Sequence, residues 1–490
     1  MRYYLAIDQG THASRACLFD ETGRLVSEHS KSIQLRRISN THVEQDANEI
    51  VNSVKHVVAK ALHEVTAEKS IIACGIAIQR SSVLAWHKDG SAISPVLSWQ
   101  DTRGSKQLED LNEFEDEIKQ ISGLPLSAHY GASKLNYLLQ QTLTDTRDQT
   151  FKADTLRLSP LISYLLFHLL EEHPYIVDHT NAQRTQLFSI EDLAWSSRLA
   201  ELFDVPLQTL PDCIPVLNST SVAHGKLAGT EIPVTAISGD QNAAIFGSGV
   251  FTGETVLVNF GSGAFVLSLL PHIRTSKNQL SSIACSAGDN VQYAREATIN
   301  GAGSALTWLE KRHAVHDLWK QLPAWLNEIG VDGKQQPPLF FNAVGGLGSP
   351  WWNSSIEPEF IYPVNSTTDT EAKLAAQAVA VIESVVFMVC INLEIMRSEQ
   401  TLNRLRVCGG LSQLDGLCQR LADLSTLPVE RLNLSEATSR GIAWLAAGRP
   451  GDWSNVEVET FGPASNTGLN ERYSIFSIAM NKIEPGDQTF

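Results

Sequence analysis

Two aspartates stand where apolar runs end, and their position suggests chemistry. Asp8 follows Tyr3-Tyr4-Leu5-Ala6-Ile7, and Asp240 closes Ile237-Ser238-Gly239 ahead of Gln241. A carboxylate at a strand end facing a cleft can hold a hydrated Mg²⁺ or take a proton from a hydroxyl nucleophile. It can equally cap a turn or helix, and Asp240 before Gln241-Asn242-Ala243-Ala244 suits an N-cap. Two turns of small and polar residues accompany the aspartates, one running from Gln9 to Arg15 and one at Gly261-Ser262-Gly263. Glycine and hydroxyl residues let backbone N–H groups approach phosphate oxygens, because no bulky Cβ stands in the way. Neither turn runs into Gly-Lys-Ser/Thr and neither has dinucleotide-fingerprint spacing, so each alone is an ordinary turn. Two such turns together with two strand-end carboxylates point to phosphoryl chemistry.

The elements that must hold these groups follow an α/β pattern given twice. Residues 3–7 and 16–19 read as strands joined by the loop at Asp8 to Arg15, and a third apolar run follows the turn Glu21-Thr22-Gly23. Ile50, Val51, Val54, Val57, Val58 and Leu62 recur at helical spacing, and Ile71 to Ile78 is an apolar run of the kind found in a sheet covered on both faces. In the second half, residues 256–260 and 264–267 flank the glycine turn. Residues 371–396 predict a long, largely buried helix, Leu405 to Cys408 a strand before Gly409-Gly410, and Leu414, Leu417, Leu421 and Leu424 another helix. Ala437 to Ala447 predicts a last helix packed back on the core. The residues after Pro450 carry little periodic signal. The boundary between two α/β domains is expected between Gly247 and Gly253, with a division into 1–248, 249–450 and a C-terminal extension, 451–490.

Length and composition bound the rest. A chain of 490 residues, 43% hydrophobic and 19% charged, is a folded protein of more than one domain. With 38 basic against 54 acidic residues its formal charge is -16, which disfavours nucleic acid and anionic membranes as partners. Its 7 cysteines are scattered without a Cys-x-x-Cys pair, so reduced thiols are expected. With no apolar leader at the N-terminus, the expected location is the cytoplasm.

Several further segments carry a resemblance. Ala6-Ile7-Asp8-Gln9-Gly10-Thr11 with Arg15, His42-Val43-Glu44-Gln45-Asp46, Gln79-Arg80 and Trp99-Gln100-Asp101-Thr102-Arg103 occur in this order in the first hundred or so residues. Thr180-Asn181-Ala182 with Arg184-Thr185, Gly239-Asp240-Gln241-Asn242-Ala243-Ala244, Gly345 to Trp352, and Gly409-Gly410 with Ser412 and Gln419 follow. Together they resemble the FGGY carbohydrate kinases, glycerol kinases in particular. The resemblance implies two actin-like, ribonuclease H-type domains around a catalytic cleft, with polyol or sugar on the first domain and MgATP mostly on the second. It makes Asp240 the general base and places Mg²⁺ with Asp8 and Asp240. Thr11, Arg15, Ser262, Gly303 and Gly410 become ATP contacts, and Arg80, Trp99, Gln241 and Phe265 a substrate wall. A homodimer is also expected on resemblance alone.

Departures from the pattern bear mainly on the substrate. Ser81 stands where glycerol kinases carry a polyol-binding glutamate, and His129 where they carry a tyrosine. Such losses weaken glycerol recognition and leave room for a longer polyol or a sugar. On the nucleotide side His12, Thr307 and Leu414 replace the family's threonine, glutamine and asparagine, which predicts relaxed nucleotide choice. The leading expectation is an ATP-dependent polyol or sugar kinase. A ketopentose kinase, a catalytically weak sugar-binding regulator favoured by the nucleotide-side replacements, and an actin-like ATPase are the other readings.

Overall fold

The structure, a computed structural model, describes residues 2–65, 70–145, 155–219, 223–330, 335–353, 355–362, 370–434, 436–453 and 456–483. Strands β1 (Arg2–Gln9), β2 (Ala13–Asp20), β3 (Leu25–Ser32), β4 (Ser70–Ile78) and β5 (Val234–Gly239) form a sheet in the order β5-β4-β1-β2-β3. The first three are antiparallel neighbours, whereas β4 lies parallel to β1 and β5 parallel to β4. The second sheet contains β6 (Thr255–Phe260), β7 (Ala264–Leu270), β8 (Leu280–Ala287), β9 (Asn290–Ile299), β10 (Arg404–Gly409), β11 (Val429–Leu432) and β12 (Val458–Phe461), in the order β8-β9-β7-β6-β10-β11-β12. Within it β9-β7-β6-β10-β11 repeats the wiring of β3-β2-β1-β4-β5, an antiparallel trio followed by two parallel strands. This is the doubled ribonuclease H-type pattern that the resemblance implies.

The helices that matter below are α1 (Ala47–His63), α2 (Gly131–Asp145), α3 (His179–Gln183), α4 (Asp240–Ala244), α5 (Gly303–His313), α6 (Thr370–Arg397), α7 (Asp415–Ser425), α8 (Ala437–Ala446) and α9 (Thr467–Met480). Asp46 caps α1 by accepting the Glu49 amide at 2.9 Å, and Ile50, Val51, Val54, Val57 and Ala61 are among its buried residues. Helix α6 is apolar and long enough to cross a membrane, but 94% of its most apolar window is buried, with Val379, Ile382, Val386 and Val389 in the second core.

Two parts of the chain sit differently from what periodicity suggests. Helix α8 packs on the first sheet, against β1, β4 and β5, although by sequence it lies between β11 and β12 of the second sheet. The approach requires glycine: a Cβ on Gly441 would lie 1.9 Å from the Ala243 carbonyl oxygen, and one on Gly75 2.5 Å from that of Ile442. The segment after Pro450 is structured as well. β12 extends the second sheet beside β11, and α9 buries Leu469, Phe476 and Met480 in the second core. Those apolar residues do recur at helical spacing. Exposed Ile475 and Ile478 on the other face blur the pattern.

Phe476 is fully buried and packs against Phe387 of α6 at 5.2 Å between ring centroids. Phe476→Ala is expected to cost about 3–5 kcal/mol, read by denaturant unfolding of the full chain.

Candidate functional site

A cavity of about 480 Å³ opens between the ends of the two sheets. Strand β4 ends at Ile78 and delivers Arg80 and Ser81 to its wall, β5 runs into Asp240, and the β6–β7 turn brings Gly261-Ser262-Gly263. That turn is stapled to the start of α5, with the Gly303 amide donating to the Gly261 carbonyl at 3.1 Å and the Ser304 amide to that of Ser262 at 2.9 Å. Small residues there place backbone beside the cavity, as a phosphate cradle needs.

The wall is organised by charge. Arg80 donates through Nη1 to Glu296 Oε2 at 3.2 Å and through Nη2 to Oε1 at 3.0 Å, while its Nε lies 3.7 Å from Asp240 Oδ1. Nη1 also reaches Asn242 Oδ1 at 3.2 Å. Arg184, just after α3, pairs with the same Glu296, and Ser282 donates to Glu296 Oε2 at 3.2 Å. Burial opposes the Glu296 charge, but Arg184 and Arg80 outweigh it and bring its carboxyl down to about 2. Glu296 comes from β9 of the second sheet and both arginines from the first half, so this ion cluster joins the two. Gln241 adds a second link, accepting from Asn259 Nδ2 at 3.0 Å.

Lys134 of α2 arranges the remaining wall. Its fully buried ammonium donates to the carbonyls of Ser81 at 2.8 Å, Ser98 at 3.2 Å and His129 at 2.8 Å, tying together three loops. The first of these holds Ser81 at φ 63°, a left-handed conformation that is uncommon outside glycine. Trp99 donates from Nε1 to Thr11 Oγ1 at 2.9 Å and meets the His129 ring edge-on at 5.4 Å. Burial, and then Lys134, push His129 down to about 3, so its imidazole is neutral. Phe265 faces the Arg80 guanidinium at 5.9 Å.

Asp8 lies at the end of β1, buried behind the cavity wall, with its Oδ2 3.6 Å from Arg15 Nη1. Burial, then the charge of Asp240, raises it to about 7. Asp240 is raised too, by burial, against the opposing pull of Arg80. A buried carboxylate that resists ionising near a second, half-buried one suits a divalent cation at the pair. Among the described residues no group of three or more His, Cys, Asp or Glu could hold a metal ion. Such a cation would therefore depend on water and ligand oxygens to complete its shell, as Mg²⁺ commonly does.

The structure brings Thr11, Arg80, Ser81, Trp99, His129, Asp240, Gln241, Ser262 and Phe265 to one cavity. Other candidates lie around it. His12 is exposed, and its carbonyl accepts from the Ile33 amide at 3.0 Å. Arg15 is shared among Asp8, Glu28 and Glu436. Gly303 opens α5, and Thr307 one turn later is exposed, its hydroxyl on the Gly303 carbonyl at 3.3 Å. Gly410 follows Gly409 at φ 89°, with open space where a Cβ would stand. Leu414 requires correction as a nucleotide contact: it is 1% exposed and packs in the second core with Leu417 and Leu421, so its side chain is spent on the fold. Sequence reasoning quoted Arg184 only within a family-like segment and overlooked Tyr130, Lys134 and Glu296. For Glu296 a signal existed, a charge inside the strand-like run Tyr293 to Ile299.

The N-terminal domain of the FGGY family of carbohydrate kinases matches residues 3–247, and the C-terminal domain of that family residues 256–448. A glycerol kinase of Agrobacterium fabrum is 31% identical over 461 residues, covering 92% of this chain and 90% of its own, and one of Burkholderia ambifaria is also 31% identical over 467 residues, covering 93% and 91%. In fold, the chain is similar to Plasmodium falciparum glycerol kinase with ADP (TM-score 0.85, 22% identity, 99% of this chain and 98% of that one). It is also similar to a xylulose kinase from Lactobacillus acidophilus (TM-score 0.83, 17% identity, 98% of each chain). The chain belongs to the FGGY family of carbohydrate kinases. It is an enzyme that transfers phosphate from ATP to a hydroxyl of a sugar or polyol.

Asp8 holds its proton more tightly in the folded chain, at about 7, than at its ordinary 3.8. Its contribution to metal-free stability is therefore full below 3.8 and is lost as pH rises through about 7. Asp8→Asn is expected to lack this loss. Thermal unfolding in chelator across that range should show the variant gaining on wild type as pH rises.

Proposed function

We propose that Asp240 is the general base of this kinase and that its preferred acceptor is a polyol or open-chain sugar larger than glycerol. One observation carries the reading: Asp240 sits half-buried on the cavity wall with Arg80 on one side, and the same cavity reaches the Gly261-Ser262-Gly263 turn. On this reading the acceptor hydroxyl lies against the Asp240 carboxylate and hands it a proton as the oxygen attacks the γ-phosphorus of ATP. The bond from that phosphorus to the bridging oxygen breaks, and ADP leaves. Arg80 and Trp99 orient the acceptor, Phe265 and neutral His129 exclude water, and positioning supplies most of the rate. Asp8 and Asp240 would hold Mg²⁺, which when bound neutralises charge on the phosphates. The backbone turns at Ser262, Gly303 and Gly410, with Thr11 and Arg15, would receive the nucleotide. Residues 1–248 then form the acceptor domain and 249–450 the nucleotide domain, with 451–490 as an extension. Glycerol is a poorer fit because Ser81 offers a small hydroxyl and His129 a neutral ring on the wall.

Asp240→Asn is expected to cut kcat by about 10²–10⁴-fold against a panel of polyols, aldoses and ketoses in MgATP. ADP release coupled to a visible reaction reads it. Undiminished turnover in the variant would remove Asp240 from the role.

A further inference from the structure

The backbone that delivers Asp240 to the cavity is held by a side chain outside the reaction. Strand β5 ends at Gly239, whose amide donates to Thr180 Oγ1 of α3 at 2.8 Å. Thr180 is 1% exposed, and its hydroxyl in turn donates to Asp178 Oδ1. A hydroxyl carries one proton, so with that proton on Asp178 it meets the Gly239 N–H through a lone pair. Asp178 is pinned as the N-cap of α3: Oδ1 accepts the amides of Thr180 at 2.9 Å and Asn181 at 3.2 Å, and Oδ2 accepts Asn181 Nδ2 at 2.6 Å. Gly239 has no room for a side chain of its own, since a Cβ would lie 2.7 Å from Arg80 Cγ and 2.8 Å from Asn242 Oδ1. Its position is therefore set through the backbone. On the far side of the same residue pair, the Asp240 carbonyl receives the Thr438 hydroxyl at 3.4 Å, so the firmer hold is the one from Thr180.

We infer that Thr180 is a positioning residue of the phosphoryl transfer: its hydroxyl sets the Gly239–Asp240 peptide and thereby aims the Asp240 carboxylate at the acceptor hydroxyl. The inference rests on the reading of Asp240 as general base. Thr180 stands behind the cavity wall rather than on it. The helix that bears it is fixed to the second half, where Gln183 donates to the Ser281 carbonyl at 2.7 Å and accepts the Ile283 amide at 2.9 Å. Thr180 therefore refers the base to the half that, on the same reading, carries the nucleotide. Transfer needs base, acceptor oxygen and phosphorus in register, and a displacement of about 1 Å costs about a hundredfold in rate. Without the hydroxyl, the Gly239 N–H and the Asp178 carboxylate each lose a partner in a dry interior, and the peptide turns to find another. Acceptor and nucleotide keep their own contacts, so the loss falls on kcat and spares KM.

The test compares Thr180→Val, which keeps the shape and removes the hydroxyl, with Thr180→Ser, which keeps the hydroxyl and removes the methyl group. Both are assayed in MgATP with whichever of glycerol, the pentitols, xylulose and gluconate wild type turns over fastest. Thr180→Val is expected to lower kcat by about tenfold or more with both KM values within about threefold of wild type, while Thr180→Ser stays within about threefold in kcat. A side chain needed only for packing gives the reverse order, because valine fills the site and serine does not. Serine as damaging as valine, or a loss confined to KM, overturns the inference and leaves the kinase reading intact. A cycle with Asp240→Asn then asks whether Thr180 acts through the base. Added to that variant, Thr180→Val should lower kcat by less than about threefold further, and a full repeat of its single effect overturns the inference. Undiminished turnover in Asp240→Asn alone removes the general-base reading and the inference with it. If Thr180→Val does not fold, Thr180→Ala against Thr180→Ser isolates the same hydroxyl and is judged by the same split. If neither Thr180→Val nor Thr180→Ala folds, the hydroxyl is a structural requirement and the inference falls.

Discussion

The site depends on one carboxylate that answers two arginines. Glu296 is fully buried, and so, nearly, are Arg80 and Arg184. A buried guanidinium without a counter-charge is costly, and one carboxylate beside two of them leaves a positive remainder. Asp240 takes up that remainder through the Nε edge of Arg80. The cluster is thus neutral only as a set of four, assembled from β9 in the second half and from three separate segments of the first. Neither half builds this cavity wall alone, which gives a physical reason for two similar sheets to meet at this point.

Other contacts make the same junction. Gln183 of α3 donates to the Ser281 carbonyl at 2.7 Å and accepts from the Ile283 amide at 2.9 Å, so β8 is anchored to the first half close to Glu296. Asn242 Nδ2 reaches the Ile283 carbonyl at 2.7 Å, again one residue from Ser282. Helix α8 crosses in the other direction, with Gly441 against Ala243 just after Asp240. Asp240 is therefore clamped from behind by a helix belonging, in sequence, to the far end of the chain. This over-determination suits a group that must remain fixed while a substrate arrives.

How much of this was legible follows from the range of the signals. Strand-end aspartates, glycine turns and apolar periods are local, and the first strands, α1, α6 and α7 all stand where these patterns place them. Family resemblance added Arg80, Trp99, Gln241 and Phe265, which do meet at one cavity. What local patterns could not show is the partner of each buried charge. Lys134 reads as a helix-surface lysine until three loop carbonyls converge on it, and Arg184 reads as part of a motif until Glu296 is found 112 residues away. Leu414 failed for the opposite reason. Its place after the glycine pair suggested a ligand contact, whereas its apolar side chain is claimed by the core.

The departures on the two sides of the cleft have different consequences because the two sides recognise by different means. On the proposed nucleotide side the groups near the cleft are largely backbone, at the stapled turn of Gly261 to Gly263 and at Gly409-Gly410, and backbone donors remain whatever side chain stands at His12, Thr307 or Leu414. Replacing side chains there alters selectivity among bases more than it alters phosphate binding. On the substrate side recognition is by side chain, where each hydroxyl, ring or charge either finds its partner or is left unpaired in a dry pocket. Ser81 and His129 therefore weigh more on what this enzyme phosphorylates than His12, Thr307 and Leu414 weigh on what it uses as donor. On the proposed reading the reaction is held by the carboxylates and turns, while the choice of acceptor rests on a wall of side chains anchored by Glu296 and Lys134.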